Sequence, residues 1–313
     1  MPEGSFLKVF GSALHDYHAS LSAERQQRLL ETFQTSPEKI IGSALRGYSQ
    51  ALYNSLIAQI YPRTLDFRAE DAEFMAKQDA KWGHCFVLLD SYYNVNIECG
   101  DMYREAISKD EIESASKIPN KFDAVFALHA RACQMFLEIT CLCKNGFSDA
   151  AFSRWRSLYE LSVIADRLSR EDDSISYAYL NSYGKKDTQF RWLRESPNFS
   201  SYNTITFSKL HKESSFASAL WESSYHLSNC TVHGSADGTL ARIAMPEGIC
   251  SGKSDYGIEI PATHASTSLL QISSVLLTLV YTYDSVAHLS LLTDFNKKII
   301  NDFERTAKQL TRD

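Results

Sequence analysis

Two pairs of side chains in this sequence have types and spacing suited to chemistry. The first is Arg156 with Glu160, in Arg156-Ser-Leu-Tyr-Glu160. Side chains four residues apart share one helix face, so a guanidinium and a carboxylate meet one turn apart. The guanidinium offers five donors in a flat fork, suited to an anionic or polar ligand, with the carboxylate orienting it. The second pair is Asn229 with His233, also four apart and followed by Gly234. An imidazole at a helix end suits general acid/base work or contact with a phosphate. Arg131 and Glu138, seven apart, extend the polar seam along a neighbouring helix. His233 and Glu160 are therefore the catalytic candidates, and Arg156, Asn229 and Arg131 the ligand-binding candidates. Each pair also has a plainer use: Arg156–Glu160 as a tie between buried helices, Asn229–His233 as a cap or a satisfied core histidine. Convergence of the four on one pocket separates the two readings.

The elements that must position these residues follow from periodicity. In residues 120–170, Phe122, Phe126, His129, Cys133, Phe136 and Thr140 recur at three- and four-residue steps, which is one helical stripe. Asn145-Gly146 supplies the left-handed turn that ends a helix, and Ser148 and Asp149 are candidate N-caps for the next. There Trp155, Leu158, Tyr159, Ser162 and Ala165 form one face; Phe152, Arg156, Glu160, Val163 and Arg167 form another. The expected fold is all-α: an irregular multi-helix bundle around a central helical hairpin at 120–170. Ser36-Pro37-Glu38 starts a helix that Pro62 is expected to end. Residues 66–81 read as a solvated helix of mixed charge. Residues 214–233 read as another long helix, and a final helical pair or single helix runs from about 263 to 310. Residues 234–262 hold five of the thirteen glycines; they are expected to be a long loop covering the site. The expected organisation is an N-terminal helical region, 1–115, packing on a central helical domain, 116–313, as one continuous globular unit.

Composition bounds the rest. The chain has 313 residues, 44% of them hydrophobic and 22% charged, as in a soluble globular protein. A net charge of −6 argues against a nonspecific nucleic-acid binder. Seven cysteines, an odd number in a chain this large, read as buried free thiols in a reducing cytoplasm rather than a disulfide framework. No pair has CxxC spacing, and Cys141 and Cys143 point about 200° apart on a helix. His84 and Cys85, adjacent on a helix, diverge by about 100° and are not expected to chelate together. No metal and no cofactor is expected. The most apolar run, 268–292, is interrupted by Gln271, Asp284 and His288, so a buried helix is expected there and no membrane partner. Walker, Rossmann, His-Glu-x-x-His and Gly-x-Ser-x-Gly motifs are absent.

The helix Gly146-Phe-Ser-Asp-Ala-Ala-Phe-Ser-Arg-Trp-Arg156-Ser-Leu-Tyr-Glu160-Leu-Ser-Val-Ile-Ala and the later Ser-Asn-Cys-Thr-Val-His233-Gly-Ser resemble a bacterial all-helical domain-of-unknown-function family, number 5677. The resemblance spans about residues 120–290. It implies an all-helical cytoplasmic bacterial protein, of the kind associated with mobile-element or phage-defence loci. The functional expectation is an intracellular ligand- or partner-binding protein, an accessory or effector in phage defence or stress response. Its partner would be an unidentified protein or a nucleotide or RNA ligand, and the chain a homo-oligomer. The alternatives are a metal-independent hydrolase or nuclease using His233 as acid/base and Arg156 for a phosphate charge, and a structural oligomerisation module.

Overall fold

The computed structural model describes residues 21–25, 27–28, 31, 37–109, 112, 116–184, 190–232, 236–240, 243–244, 252–279 and 282–310. Its helices are α1 (Pro37–Ala58), α2 (Ile60–Ser108), α3 (Pro119–Lys144), α4 (Ser148–Arg170), α5 (Asp173–Leu180), α6 (Phe207–Lys212), α7 (Ala219–Val232), α8 (Ala236–Leu240), α9 (Glu259–Leu279) and α10 (Tyr283–Leu310), with a 3-10 turn at Arg191–Glu195. Among the described residues there is no strand, and the fold is all-α. The chain divides into two compact units, Met1–Phe74 and Met75–Asp313.

In the first unit Pro62 does not end a helix. The helix pauses at Gln59, where hydrogen bonds from Gln59 N to Ser55 O (3.3 Å) and Arg63 N to Gln59 O (3.1 Å) carry the backbone onward. Pro62 then falls in the first turn of α2, where a missing N–H has no partner to lose.

In the second unit α3 and α4 form an antiparallel hairpin, and α9 packs against both. Helix α10 lies on α9, α7 on α4, and α5 on α3. The core that results is aromatic: Trp82, Tyr92, Phe136, Phe152, Trp155 and Tyr159 are all fully buried. Trp82 stacks on Phe303 at 5.6 Å, and Tyr92 meets Phe136 edge-on at 5.8 Å. Helix α3 alone is long and apolar enough, among the described helices, to cross a membrane by composition, and half of that stretch is buried inside the protein. The apolar run expected at 268–292 is split between α9 and α10.

The hairpin turn closes through its backbone. Phe147 N donates to Leu142 O (2.9 Å) and Gly146 N to Cys143 O (3.1 Å), the paired bonds that finish a helix when the residue after its cap is left-handed. Gly146 takes that conformation at φ 77°, while Asn145 stays at φ −90°. Ser148 and Asp149 do not cap α4, contrary to the sequence expectation; the N-cap position is Phe147 and has no side-chain bond. Their oxygens hold a distant segment instead. Ser148 Oγ donates to Tyr256 O (2.9 Å), and Asp149 Oδ1 accepts from Ile243 N (2.9 Å). Ser254 N adds a bond to Gly146 O (2.9 Å), and Lys81 pairs with Asp255. The described parts of the glycine-rich segment are thus a short helix, α8, and pieces pinned to the α3–α4 turn.

Helix α7 starts at Ala219, five residues later than expected from sequence. Asp166, buried on α4, accepts from Ser214 Oγ (3.0 Å), Ser215 N (3.1 Å), Ser215 Oγ and Arg170 Nη2 (2.5 Å). Four donors to one carboxylate satisfy its buried charge and hold residues 214–215 in a turn. Beside it, Arg167 pairs with Glu171 and lies 4.6 Å from the centroid of the Phe199 ring. This buried network fastens the connection between α4 and α7, so it sets where α7 meets α4.

Candidate functional site

Helix α4 turns one polar face toward α7. At 100° per residue, Asp149, Ser153, Arg156, Ser157 and Glu160 fall within about a third of the helix circumference. The adjacent face carries Trp155 and Tyr159, both fully buried. Tyr159 stacks on Trp221 of α7 at 4.9 Å and 12°, and Trp155 lies 5.4 Å from the same ring. Apolar stacking therefore fixes the approach of the two helices, and the polar face lines the seam between them.

At the middle of the seam Arg156, Glu160 and Tyr225 close a triangle. Arg156 Nη2 and Glu160 Oε1 are 3.1 Å apart, Arg156 Nε donates to the Tyr225 hydroxyl (3.2 Å), and that hydroxyl donates to Glu160 Oε1 (2.6 Å). The guanidinium also sits 5.3 Å from the Tyr225 ring centroid. Burial, then the hydrogen bond into Glu160, pushes the Tyr225 phenol up to about 12. Burial works against the Arg156 charge, but the Tyr225 hydroxyl and the Glu160 carboxylate outweigh it and hold the guanidinium above its usual value.

Toward the N-terminal end of α4 the seam opens into a cleft of about 760 Å³. Its polar lining includes Asp149, Ser153, Arg154, Ser157, Thr231 and Thr239; Leu142, Ala150 and Val232 supply apolar wall. Ser153 Oγ and Thr231 Oγ1 lie 2.5 Å apart across the seam. Each also lies within reach of a carbonyl on its own helix, Asp149 O (2.9 Å) and Ser228 O (2.7 Å). A hydroxyl has one proton, so one of the two gives up its carbonyl to donate across. At the rim Arg154 Nε donates to Glu138 Oε2 (2.5 Å), and Arg131 Nη1 reaches Glu138 Oε1 (3.4 Å) and Gln134 Oε1 (2.6 Å).

Of the residues singled out from sequence, Arg156 and Glu160 come together. Asn229 lies one turn beyond Tyr225 on α7 and is half-buried. Arg131 is exposed and joins Glu138 and Arg154 at the rim rather than the Arg156 triangle. His233 and Gly234 lie outside the described residues; Thr231 and Val232, just before them, line the cleft. Sequence reasoning missed Tyr225, Ser153, Ser157, Thr231 and Arg154. Ser153 and Ser157 were legible as extensions of the Arg156 face, and Tyr225 as the residue four before Asn229. Thr231 depends on how α7 docks and leaves no mark in the sequence.

Two histidines have partners that bear on chemistry, one of them beside the seam. His264 of α9 sits edge-on to Trp155 at 4.8 Å, with its Nε2 3.0 Å from Ser224 Oγ on α7. Burial pulls it down to about 4, so it is a neutral imidazole and a weak base at pH 7. On α2, His84 Nε2 comes within 3.2 Å of the Cys85 sulfur, both near Thr306 Oγ1. The neighbours meet there despite the divergence expected of adjacent helical positions. Among the described residues no three His, Cys, Asp or Glu side chains gather closely enough to hold a metal.

The fold and cleft define an all-α protein with a polar seam between two helices. Residues 122–218 match the model of a family of unknown function (DUF5677). The match holds nearly all of α3, all of α4 and the connection that Asp166 anchors; it ends before Tyr225, Asn229 and His233, short of the span to 290 expected from the resemblance. No curated protein and no solved structure matches the chain.

Proposed function

We propose that the chain is a binding protein whose ligand occupies the α4–α7 cleft. The observation that carries this reading is the cleft itself. Its volume of about 760 Å³ falls within the ~300–1,000 Å³ usual for small-molecule sites. Hydroxyls of Ser153, Ser157, Thr231 and Thr239 give it groups that both donate and accept, over a partly apolar wall. That lining suits a ligand of nucleoside or nucleotide size, with its own hydroxyls meeting the seam and its flat portion against Leu142 and Val232. The Arg156–Glu160–Tyr225 triangle stiffens the far end, so the seam is held in shape before a ligand arrives. Binding is put ahead of hydrolysis because the polar groups that line the cleft are mostly hydroxyls, and His264, packed between α4 and α7, is spent on Ser224 and held neutral by burial. We place the protein in the bacterial cytoplasm as an accessory of phage defence or stress response, following its resemblance.

The reading is tested by calorimetric titration of the full chain with nucleosides, nucleotides and short RNAs, in wild type and Ser157→Trp. An indole at 157 fills the cleft from a half-buried position without entering the aromatic core. Saturable binding to the wild type that drops at least tenfold in Ser157→Trp, with unchanged melting, supports the cleft. Equal affinity in both proteins rules it out.

A further inference from the structure

The first unit carries a surface that the cleft does not use. At the end of α1 and the start of α2, Tyr53, Leu56, Ile57, Ile60 and Tyr61 are exposed, and one turn on so are Leu65 and Phe67. Tyr61 is 72% exposed, Phe67 66% and Ile60 57%. On a helix of 100° per residue these side chains fall on one half of the circumference. The other half holds Ser55, Gln59, Asp66 and Glu70, while Asn54, Thr64, Arg68 and Asp71 share the apolar half. The helical hydrogen bonds through Gln59 join the two parts into one face. Weighted by their exposures, the apolar side chains leave on the order of 800 Å² bare. That exceeds the ~300–600 Å² of a typical monomer's largest patch, and matches the ~800 Å² that each partner of a standard interface buries.

We infer that this face pairs with the same face of a second copy of the chain, antiparallel about a two-fold axis near Ile60. Three observations favour a second copy. The area is what each side of a stable dimer needs. The face is self-complementary in the way a two-fold contact requires: about Ile60, Tyr53 of one copy falls opposite Phe67 of the other. Charge agrees with that direction. The antiparallel arrangement sets Arg46 within one turn of the partner's Asp71, both on the apolar half at 100° per residue; a parallel one would set the two Asp71 side chains side by side. A lipid surface fits less well. Helices that lie in a membrane interface are rich in Lys and Arg on their polar face, and residues 53–74 carry only Arg63 and Arg68 against four acidic side chains.

Sedimentation equilibrium of the full chain tests this from about 0.1 to 100 µM, on wild type and on Ile57→Glu/Ile60→Glu. Both positions are exposed, so helicity and melting serve as controls for folding. The expected result is a wild-type dimer of twice 35.4 kDa and a variant whose dissociation constant rises at least a hundredfold at unchanged helicity. For direction, a mixture of Tyr53→Cys and Phe67→Cys chains, both in a Cys141→Ser background, should cross-link between the two variants in preference to within either. A wild type that stays monomeric to 100 µM overturns the inference, and so does a dimer that survives the double substitution. Sedimentation of a monomeric wild type with anionic phosphatidylserine vesicles would replace it with a membrane face.

Discussion

Replacing Tyr225 by Phe removes one oxygen and keeps the ring. The structure says what that oxygen does: it accepts from Arg156 Nε and donates to Glu160 Oε1 at 2.6 Å. The Arg156–Glu160 contact at 3.1 Å and the guanidinium over the ring remain. A hydrogen bond to a charged group contributes ~1.5–3 kcal/mol when well buried. Here the Arg156 and Glu160 side chains are 28% and 23% exposed, so water replaces part of what is lost, and about 1–2 kcal/mol is expected. For a unit of this size that lowers Tm by roughly 3–6 °C. Thermal unfolding followed by circular dichroism reads it, and a double-mutant cycle with Glu160→Gln should return a coupling of about 1 kcal/mol. A Tm within half a degree of wild type, or no coupling, would refute the claim that this triangle ties α4 to α7.

Other consequences follow from the same geometry. Gly257 stands at φ 68°, and a Cβ there would lie 2.3 Å from the Ile243 carbonyl oxygen, so Gly257→Ala should cost about 3 kcal/mol in urea unfolding. Asp166→Ala takes the carboxylate from the 214–215 turn, while Arg170, 42% exposed, keeps the Glu213 and Asp166 carbonyls; the buried donors left behind should cost about 2–4 kcal/mol, read as a Tm loss larger than that of Tyr225→Phe. Burial holds His129 and His264 neutral down to about 4, while in the unfolded chain each takes up a proton near 6.5. Stability is therefore fully present above pH 6.5 and falls as pH drops toward 4, by roughly 3 kcal/mol for each histidine. Urea titrations between pH 7 and 4.5 should show this slope, and His264→Gln should reduce it by about one proton. The raised Tyr225 phenol acts at the other end: its contribution is complete below about 10 and is lost as pH rises through about 12.

Much of the fold is legible in the residues themselves. The stripe from Phe122 to Thr140 and the faces of 148–170 declare two helices, because burial at helical spacing leaves a periodic record. Asn145-Gly146 declares the turn, since only Gly146 needs the left-handed region. The errors came where one local signal had more than one use. Ser148 and Asp149 look like caps, yet serve residues 243 and 256 across the fold. Pro62 reads as a stop, but a proline is equally at home in a helix's first turn. The start of α7 falls later than its pattern suggests because Ser214 and Ser215 fit a helical spacing, yet Asp166 on another helix holds them in a turn. At the site, Arg156 and Glu160 could be read because both lie on one helix. Their third partner, Tyr225, lies 65 residues beyond Glu160. The Ser153–Thr231 contact depends on how aromatic stacking sets α7 against α4, and no local spacing encodes that.

The claim on which the account turns is that the α4–α7 cleft binds a small polar ligand. Ligand-induced thermal shift, measured across nucleosides, nucleotides and short RNAs on wild type and Ser157→Trp side by side, tests it most directly. The account predicts a saturable rise in Tm for wild type with at least one ligand, and none for Ser157→Trp, whose unliganded Tm is unchanged. A rise of equal size in both proteins, or no rise in wild type with any of these ligands, would contradict it.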